Sequence, residues 1–218
     1  ARVLQWLELW HQTEWPELKV FFNSVTDHWA TITLSGPESR ALLAPLTDID
    51  LSPSNFAFMD WRAGLVCGLP ARVFRISFTG ELTYEINVNA NYGLALWQAL
   101  MDAGVDFALT PYGTETMHVL RAEKGFVIVG QDTDGSVSPE DLGMGWAVAK
   151  RKKFSFVGQR GMMRADCLRP QRKQFVGLSP LKPSYVLPEG SQIVFARPHS
   201  LPADMVGHVT SSYDSPIL

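Results

Sequence analysis

Apolar residues return at steps of three and four in four stretches of the chain, the spacing of a helix that buries one face. The opening stretch ARVLQWLELW shows it clearly, and residues 92–103 carry an apolar stripe that ends just before Gly104. The run 38–46 follows Ser35, which makes a capping box with Glu38. The spacing therefore predicts helices over residues 1–10, 38–46, 92–103 and 114–124.

Alternation of apolar and polar residues predicts the strands. Two β-hairpins and one buried strand are expected, at 18–24 with 29–34, 69–77 with 83–88, and 126–129. The second hairpin has Gly80 at its tip. Hairpins and helices alternate without the glycine-rich strand-to-helix turn of a dinucleotide fold. The sequence therefore predicts the α+β class, with ferredoxin-like antiparallel sheets and helices.

The residue composition of the chain changes at about residue 165. Beyond it, prolines punctuate short strand-like runs at 174–178, 192–196 and 205–210. We interpret residues 1–165 as one α+β domain and residues 166–218 as a smaller β-barrel-like module. The chain opens within a helix and stops after a turn, so we expect a longer protein, with the start of the first domain and the last barrel strands outside this sequence.

Composition and charge narrow the classes of function. Apolar residues make up 46% of the chain and charged residues 19%, which is typical of a folded globular protein. The net charge of −3 offers no field of one sign for nucleic acid or an anionic membrane. No apolar stretch approaches the roughly 20 residues of a membrane-spanning helix, and no signal peptide opens the chain. We expect a cytoplasmic protein with neither nucleic acid nor membrane as partner.

The usual metal and nucleotide motifs are missing from the sequence. The five histidines show no metal-binding spacing, and Cys67 and Cys167 form no C-x-x-C pair. The run QDTDG at 131–135 does not have the acidic spacing of a calcium loop and predicts a tight acidic turn. No metal site is predicted, and nicotinamide or flavin chemistry must lie elsewhere.

The hairpin SFTGELTYE brings an aromatic residue and two acids together. Alternation places Glu85 on one face of its strand with Thr83 and Asn87, opposite Tyr84 and Ile86. That face is polar. The pattern leaves two alternatives open, a solvated hairpin end or a binding site.

Several motifs resemble one family. The run FTGELTYEINV is similar to the YTGE-x-G-[FY]-E-I stretch of the glycine-cleavage T-protein (aminomethyltransferase) superfamily of tetrahydrofolate-binding domains. The similarity continues through LSGPESRALLAPLTDIDLS, GTETMHVLRAEKGFVIVGQDTDGSVSPEDLGMGWAVA, FVGQRGM and GHVTSSYDSPIL. Within the superfamily, three segments most resemble the C-terminal part of the alpha subunits of heterotetrameric sarcosine oxidases: LRAEKGFVIVGQDTDG, the lysine-rich loop 150–154 and GHVTSSYDSPIL.

The resemblance implies roles for particular residues. It implies that Glu85 binds the pterin of folate, because two carboxylate oxygens fit the adjacent ring N–H and amino group. It places Phe78 where the family has a pocket-lining tyrosine, and Met117 where the family has a folate-contacting arginine. Arg121 matches the family's second arginine, either as a folate contact or as a structural ion-pair partner. No catalytic residue is assigned.

The resemblance also implies an activity for the intact protein. It implies oxidative demethylation of sarcosine to glycine, with formation of 5,10-methylenetetrahydrofolate and hydrogen peroxide. Tetrahydrofolate would bind in this domain, FAD, FMN and NAD elsewhere in the complex, and the other sarcosine oxidase subunits would be partners in a hetero-oligomer. The isolated segment is expected to be inactive. The alternatives are an aminomethyltransferase, a dimethylglycine dehydrogenase relative, or a non-catalytic assembly domain that has lost folate.

Overall fold

The computed structural model describes residues 2–182, 184–195, 202 and 204–217. The chain forms two compact units, one made of residues 1–77 and 81–111 and the other of residues 78–80 and 112–218. The domain boundary predicted near residue 165 lies inside the second unit and stays a prediction.

The regular elements are short and few. The helices are α1 Arg2–Thr13, α2 Ser39–Leu43, α3 Gly93–Ala103, α4 Thr114–Lys124 and α5 Gln159–Met162. The strands are β1 Trp29–Ser35, β2 Trp61–Val66, β3 Leu69–Phe74, β4 Thr83–Asn89, β5 Gln192–Ile193 and β6 Gly207–His208. In the part of the chain that the structure describes, no helix is long and apolar enough to cross a membrane.

The first unit is built on a four-stranded antiparallel sheet in the order β1-β4-β3-β2. β4 is central and pairs along its whole length with β1, from Trp29 opposite Asn89 to Ser35 opposite Thr83. The antiparallel α+β class predicted from the sequence is therefore confirmed. Ferredoxin-like packing stays a prediction.

One face of this sheet carries the core. Because side chains alternate along a strand, β4 turns Tyr84, Ile86 and Val88 to the same side, and all three are fully buried. The helices α2 and α3 add Leu42, Leu43, Leu96 and Leu100 to the same buried cluster, and the other strands and the loop before β2 complete it. α3 starts at Gly93, where a Cβ would lie 2.8 Å from the Cβ of Ala30. The glycine thus allows close helix-to-sheet contact.

The second predicted hairpin is confirmed in the first unit, where β3 pairs antiparallel with β4, but the first predicted hairpin is wrong. Residues 18–24 form no strand, and β1 pairs with the distant β4 instead. β2 forms a hairpin with β3 but was not predicted. Its face away from the core carries the exposed apolar residues Trp61 and Leu65, so apolar and polar residues do not alternate along it. Local alternation therefore located β1 but not its partner, because pairing is decided by contacts far apart in sequence.

The second unit contains α4, α5 and the short antiparallel pair of β5 and β6. The bounds predicted for α4 are confirmed, and Gly125 ends it with a φ of 77°. The predicted strand at 126–129 is wrong, since residues 126–128 are in no strand and a turn begins at Val129, which is 83% exposed. The run 192–196 is a strand only at its first two residues, and Ala196 lies outside the described residues. The barrel-like module stays a prediction.

Candidate functional site

Glu85 lies in the middle of the sheet of the first unit, on the face turned away from the core. It stands opposite Thr33 of β1 on one side and Phe74 of β3 on the other. Residues that are directly paired across antiparallel strands point to the same face. Glu85 is therefore flanked by a hydroxyl group and by an aromatic ring.

The face around Glu85 is open within the first unit. Thr31 and Thr33 of β1 and Arg72 of β3 are exposed on it. Trp61 of β2 is 53% exposed and stacks on Phe74, with ring centroids 6.0 Å apart. This mixture of flat rings and polar groups on a rigid sheet suits a planar ligand with polar edges. We refer to it as the open face, formed by Trp29, Thr31, Thr33, Trp61, Arg72, Phe74, Glu85 and Asn87.

The Glu85 carboxylate stands apart from the other polar groups of the open face. Half-burial removes water from it and raises its pKa above the usual value of 4.5. Among the described residues, no hydrogen bond or ion pair reaches this carboxylate. A desolvated carboxylate in this setting is an acceptor available to a ligand.

The neighbours of Glu85 on the open face already have partners. The Thr31 hydroxyl donates to Asn87 Oδ1 at 2.6 Å, which occupies the next cross-strand pair. The Arg72 guanidinium lies 4.4 Å from the ring centroid of Trp29. These contacts fix the rim around Glu85 and leave its carboxylate as the unsatisfied group.

Phe78 belongs to the second unit, at the start of the short segment 78–80. Its side chain is half-buried. The segment passes close to α4 at Gly80. The φ of this glycine is 85°, and a Cβ there would lie 2.5 Å from the Lys124 side chain. Because Glu85 belongs to the first unit, the structure describes the two predicted residues in separate units, and a shared pocket stays a prediction.

Arg121 of α4 is 1% exposed and lies in a polar cluster of the second unit. Its Nη1 donates to Asp132 Oδ2 at 2.6 Å and to the Phe126 carbonyl at 3.1 Å, and its Nη2 donates to the Tyr213 hydroxyl at 3.0 Å. Its Nε is buried without a partner among the described residues. The arrangement supports the structural alternative for Arg121, and contact with folate stays a prediction.

Asp132 is the centre of this cluster. Burial alone raises its pKa, but hydrogen bonds from Ile128, Thr210 and Ser211 and the charge of Arg121 outweigh burial and lower the pKa below the usual 3.8. The sequence predicted only a tight turn here. The sequence does contain an aspartate, Asp132, shortly after a helix with an internal arginine, Arg121. This pattern is compatible with many arrangements and does not predict the ion pair.

Met117 lies one helical turn before Arg121 on α4 and is half-buried. A thioether gives no positive charge, so this position cannot hold a ligand carboxylate as an arginine would. In the part of the chain that the structure describes, no group of three or more histidine, cysteine or acidic residues could hold a metal ion.

Comparison with known proteins supplies the family. Residues 1–152 match the family described as the GCVT N-terminal domain. The chain is 51% identical over 222 residues to the sarcosine oxidase subunit alpha of Corynebacterium sp. (strain P-1), covering 100% of this chain and 23% of that protein. It is 34% identical to the aminomethyltransferase of Halothermothrix orenii over 64% of this chain and 38% of that enzyme. The resemblance found in the sequence is confirmed.

Solved structures were compared as well. Heterotetrameric sarcosine oxidase from Corynebacterium sp. U-96, in complex with pyrrole 2-carboxylate, matches 41% of this chain and 44% of its own chain, with 21% identity and a TM-score of 0.36. The chain spans 23% of the length of the sarcosine oxidase alpha subunits that it matches. Most of the length of those relatives thus lies outside the matched region.

Proposed function

The chain belongs to the GCVT N-terminal domain family, and from this membership we propose that its open face binds tetrahydrofolate through Glu85. The observation that carries the proposal is the half-buried carboxylate of Glu85, whose pKa is raised by burial and which no described residue pairs. An enzyme that keeps an unpaired, desolvated acid on a rigid strand holds an acceptor ready for a ligand.

The chemistry of the open face fits a pterin. The two oxygens of Glu85 can accept from a ring N–H and the neighbouring exocyclic amino group, which are a matched pair of donors. Phe74 stands beside the carboxylate and offers a flat apolar ring to the heterocycle. The residues therefore act by binding and orienting the ligand.

We further propose that the full-length protein is a sarcosine oxidase alpha subunit. The support is the identity of 51% along the whole chain. In the proposed reaction sarcosine, tetrahydrofolate and O₂ give glycine, 5,10-methylenetetrahydrofolate and hydrogen peroxide. A bound flavin would supply the oxidation of the N-methyl group, and FAD, FMN and NAD are all proposed to bind outside this chain. This chain would place a nucleophilic folate nitrogen for capture of the oxidised one-carbon group and exclude water.

A second candidate is an assembly domain that has kept the fold and lost folate. It is favoured by Phe78, which lacks the hydroxyl of the family's tyrosine, and by Met117, which lacks the charge of the family's arginine. The two candidates differ in one measurable property, the saturable binding of a folate.

Titration of the full-length protein with 5-formyltetrahydrofolate tests the proposal by calorimetry. We expect saturable binding by the wild type and a dissociation constant about 10- to 100-fold higher for Glu85→Gln. That range is the cost of losing a charge-assisted pair of hydrogen bonds. The matched control is Glu17→Gln, which alters an exposed glutamate remote in sequence from the open face and should leave the constant unchanged.

Two outcomes would contradict the proposal. A wild type without saturable binding would favour the assembly domain. Equal affinity of the wild type and Glu85→Gln would show that folate binds elsewhere.

A further inference from the structure

Positive charge is concentrated in one segment of the second unit. Residues 150–173 contain nine of the 19 lysine and arginine residues of the chain and one of its 22 acidic residues. The segment thus has a net charge of +8, and the rest of the chain has a net charge of −11. The total of −3 therefore does not reveal how unevenly the charge is distributed. A field of this sign and size over 24 residues attracts anionic surfaces.

Most of these cations have no acidic partner. Arg172 is bound by Asp141 and Asp166, Arg169 by Asp166, and Lys150 by Glu140. The other six are exposed, and none makes an ion pair with any residue that the structure describes; they are Arg151, Lys152, Lys153, Arg160, Arg164 and Lys173. The segment is therefore not neutralised by its own unit.

Exposed apolar side chains alternate with these cations along the sequence between residues 146 and 173. Trp146 is 80% exposed, Phe154 69%, Met163 68% and Leu168 67%. Trp146 also lines an open depression of about 890 Å³ together with Val148, Arg151 and Lys152. A merely solvated charged loop does not need large apolar groups, and exposed clusters of them mark interaction sites. We call these four residues and the six unpaired cations the basic surface.

From this combination we infer that the basic surface docks an acidic surface of a different polypeptide chain, a partner subunit. Tryptophan, phenylalanine, methionine and arginine are the residues enriched at protein interfaces, while charges at the rim select the partner. The inference rests on the proposed place of the chain in a multi-subunit protein, for which the name "subunit alpha" of its relatives is the support.

Other occupants fit the basic surface less well. A small anion would need converging buried donors, and all six unpaired cations are exposed. A second copy bound through the same surface would place six unpaired cations against six others.

Charge reversal in the full-length protein, prepared together with its natural partner subunits, tests the inference. The variant is Arg151→Glu/Lys152→Glu/Lys153→Glu, and subunit association is measured by sedimentation velocity between about 0.05 M and 0.5 M NaCl. We expect wild-type association to weaken with salt. The variant should associate at least about 100-fold more weakly at low salt, with little salt dependence left.

The matched control is Arg2→Glu/Lys19→Glu/Lys182→Glu, which makes the same change of charge at exposed residues outside the basic surface. It should associate like the wild type. Trp146→Ala provides a second arm without a charge change, and it should weaken association about tenfold or more at all salt concentrations.

Association of the triple variant at wild-type strength would overturn the inference. Binding of inorganic phosphate or of a single-stranded oligonucleotide, lost in the variant while association persists, would also overturn it and identify the other occupant. Titration of the same variant with 5-formyltetrahydrofolate separates the two proposals. If the triple variant associates weakly but still binds folate, the docking surface is supported and the folate site is separate from it. If the variant associates weakly and neither it nor the wild type binds folate, the docking surface is still supported, but the folate proposal fails.

Discussion

In the first unit the Glu85 carboxylate lies half-buried without a described partner, whereas in the second unit Asp132 and Asp141 are each held by an arginine. The direction of the pKa shifts follows this difference. The pKa of Glu85 is raised by burial, while the hydrogen bonds that Asp141 accepts from Arg172 lower its pKa despite burial.

This difference in pairing distinguishes Asp132 and Asp141, which belong to the structural framework of their unit, from Glu85, which does not stabilise its unit. Removing one partner of a buried arginine–carboxylate pair destabilises the native state, because the other charge is left buried without compensation. A carboxylate without such partners makes the native state less stable than a neutral residue would. The lone carboxylate is therefore the better candidate for function, and Arg121, whose Nη1 is bound to Asp132, is the weaker candidate of the two.

Removal of Asp132 should give the largest effect on stability. Asp132→Ala leaves the Arg121 guanidinium buried without its counter-charge, and we expect the second unit to lose about 3–5 kcal/mol. Hydrogen exchange of α4 in the full-length protein measures this loss. The control Asp134→Ala alters an exposed aspartate two residues along, which is hydrogen-bonded to Ser136, and should cost less than about 1 kcal/mol. Similar losses in both variants would refute the central role of Asp132.

Acid should destabilise the second unit through Asp132 and Asp141. Because their pKa values are lower in the folded state than the usual 3.8, the unfolded state takes up protons first. Their contribution is fully present above about pH 4 and is lost as the pH falls through the folded values. Asp141→Asn should lower the melting temperature at neutral pH, with a difference that shrinks below pH 4. The control Asp102→Asn alters an exposed aspartate of α3 in the first unit and should leave the melting temperature of the second unit at neutral pH unchanged.

The fold could be predicted where local pattern decides it. The bounds of α4 follow from Gly113 and Gly125 around a run of good helix formers, and β4 follows from strict alternation. The pairing of β1 with β4 and the existence of β2 could not be predicted. The first depends on residues 48 to 60 positions apart, and the second has Trp61 exposed on its outer face. Non-local contacts leave no local periodicity.

The candidate site shows the same limit. Alternation correctly placed Glu85 on the polar face of its strand, yet it could not distinguish solvent from a site. That distinction needed Thr33 and Phe74, which stand on either side of Glu85 in register but come from different parts of the chain. Asp132 was missed for a related reason, since its bonds to Thr210 and Ser211 span almost eighty residues.

The smallest predicted effect concerns Glu85 in the absence of ligand. Because its pKa is raised in the folded state, the ionised form carries a penalty at neutral pH that disappears once the pH falls below the usual value of 4.5. Glu85→Gln should therefore raise the melting temperature by about 1–2 °C at neutral pH and leave it unchanged near pH 4. This response is opposite in sign to that of Asp141→Asn, and it would coincide with weaker folate binding. A lower melting temperature for Glu85→Gln at neutral pH would mean that the carboxylate stabilises the first unit, and the distinction between the two units would then be lost.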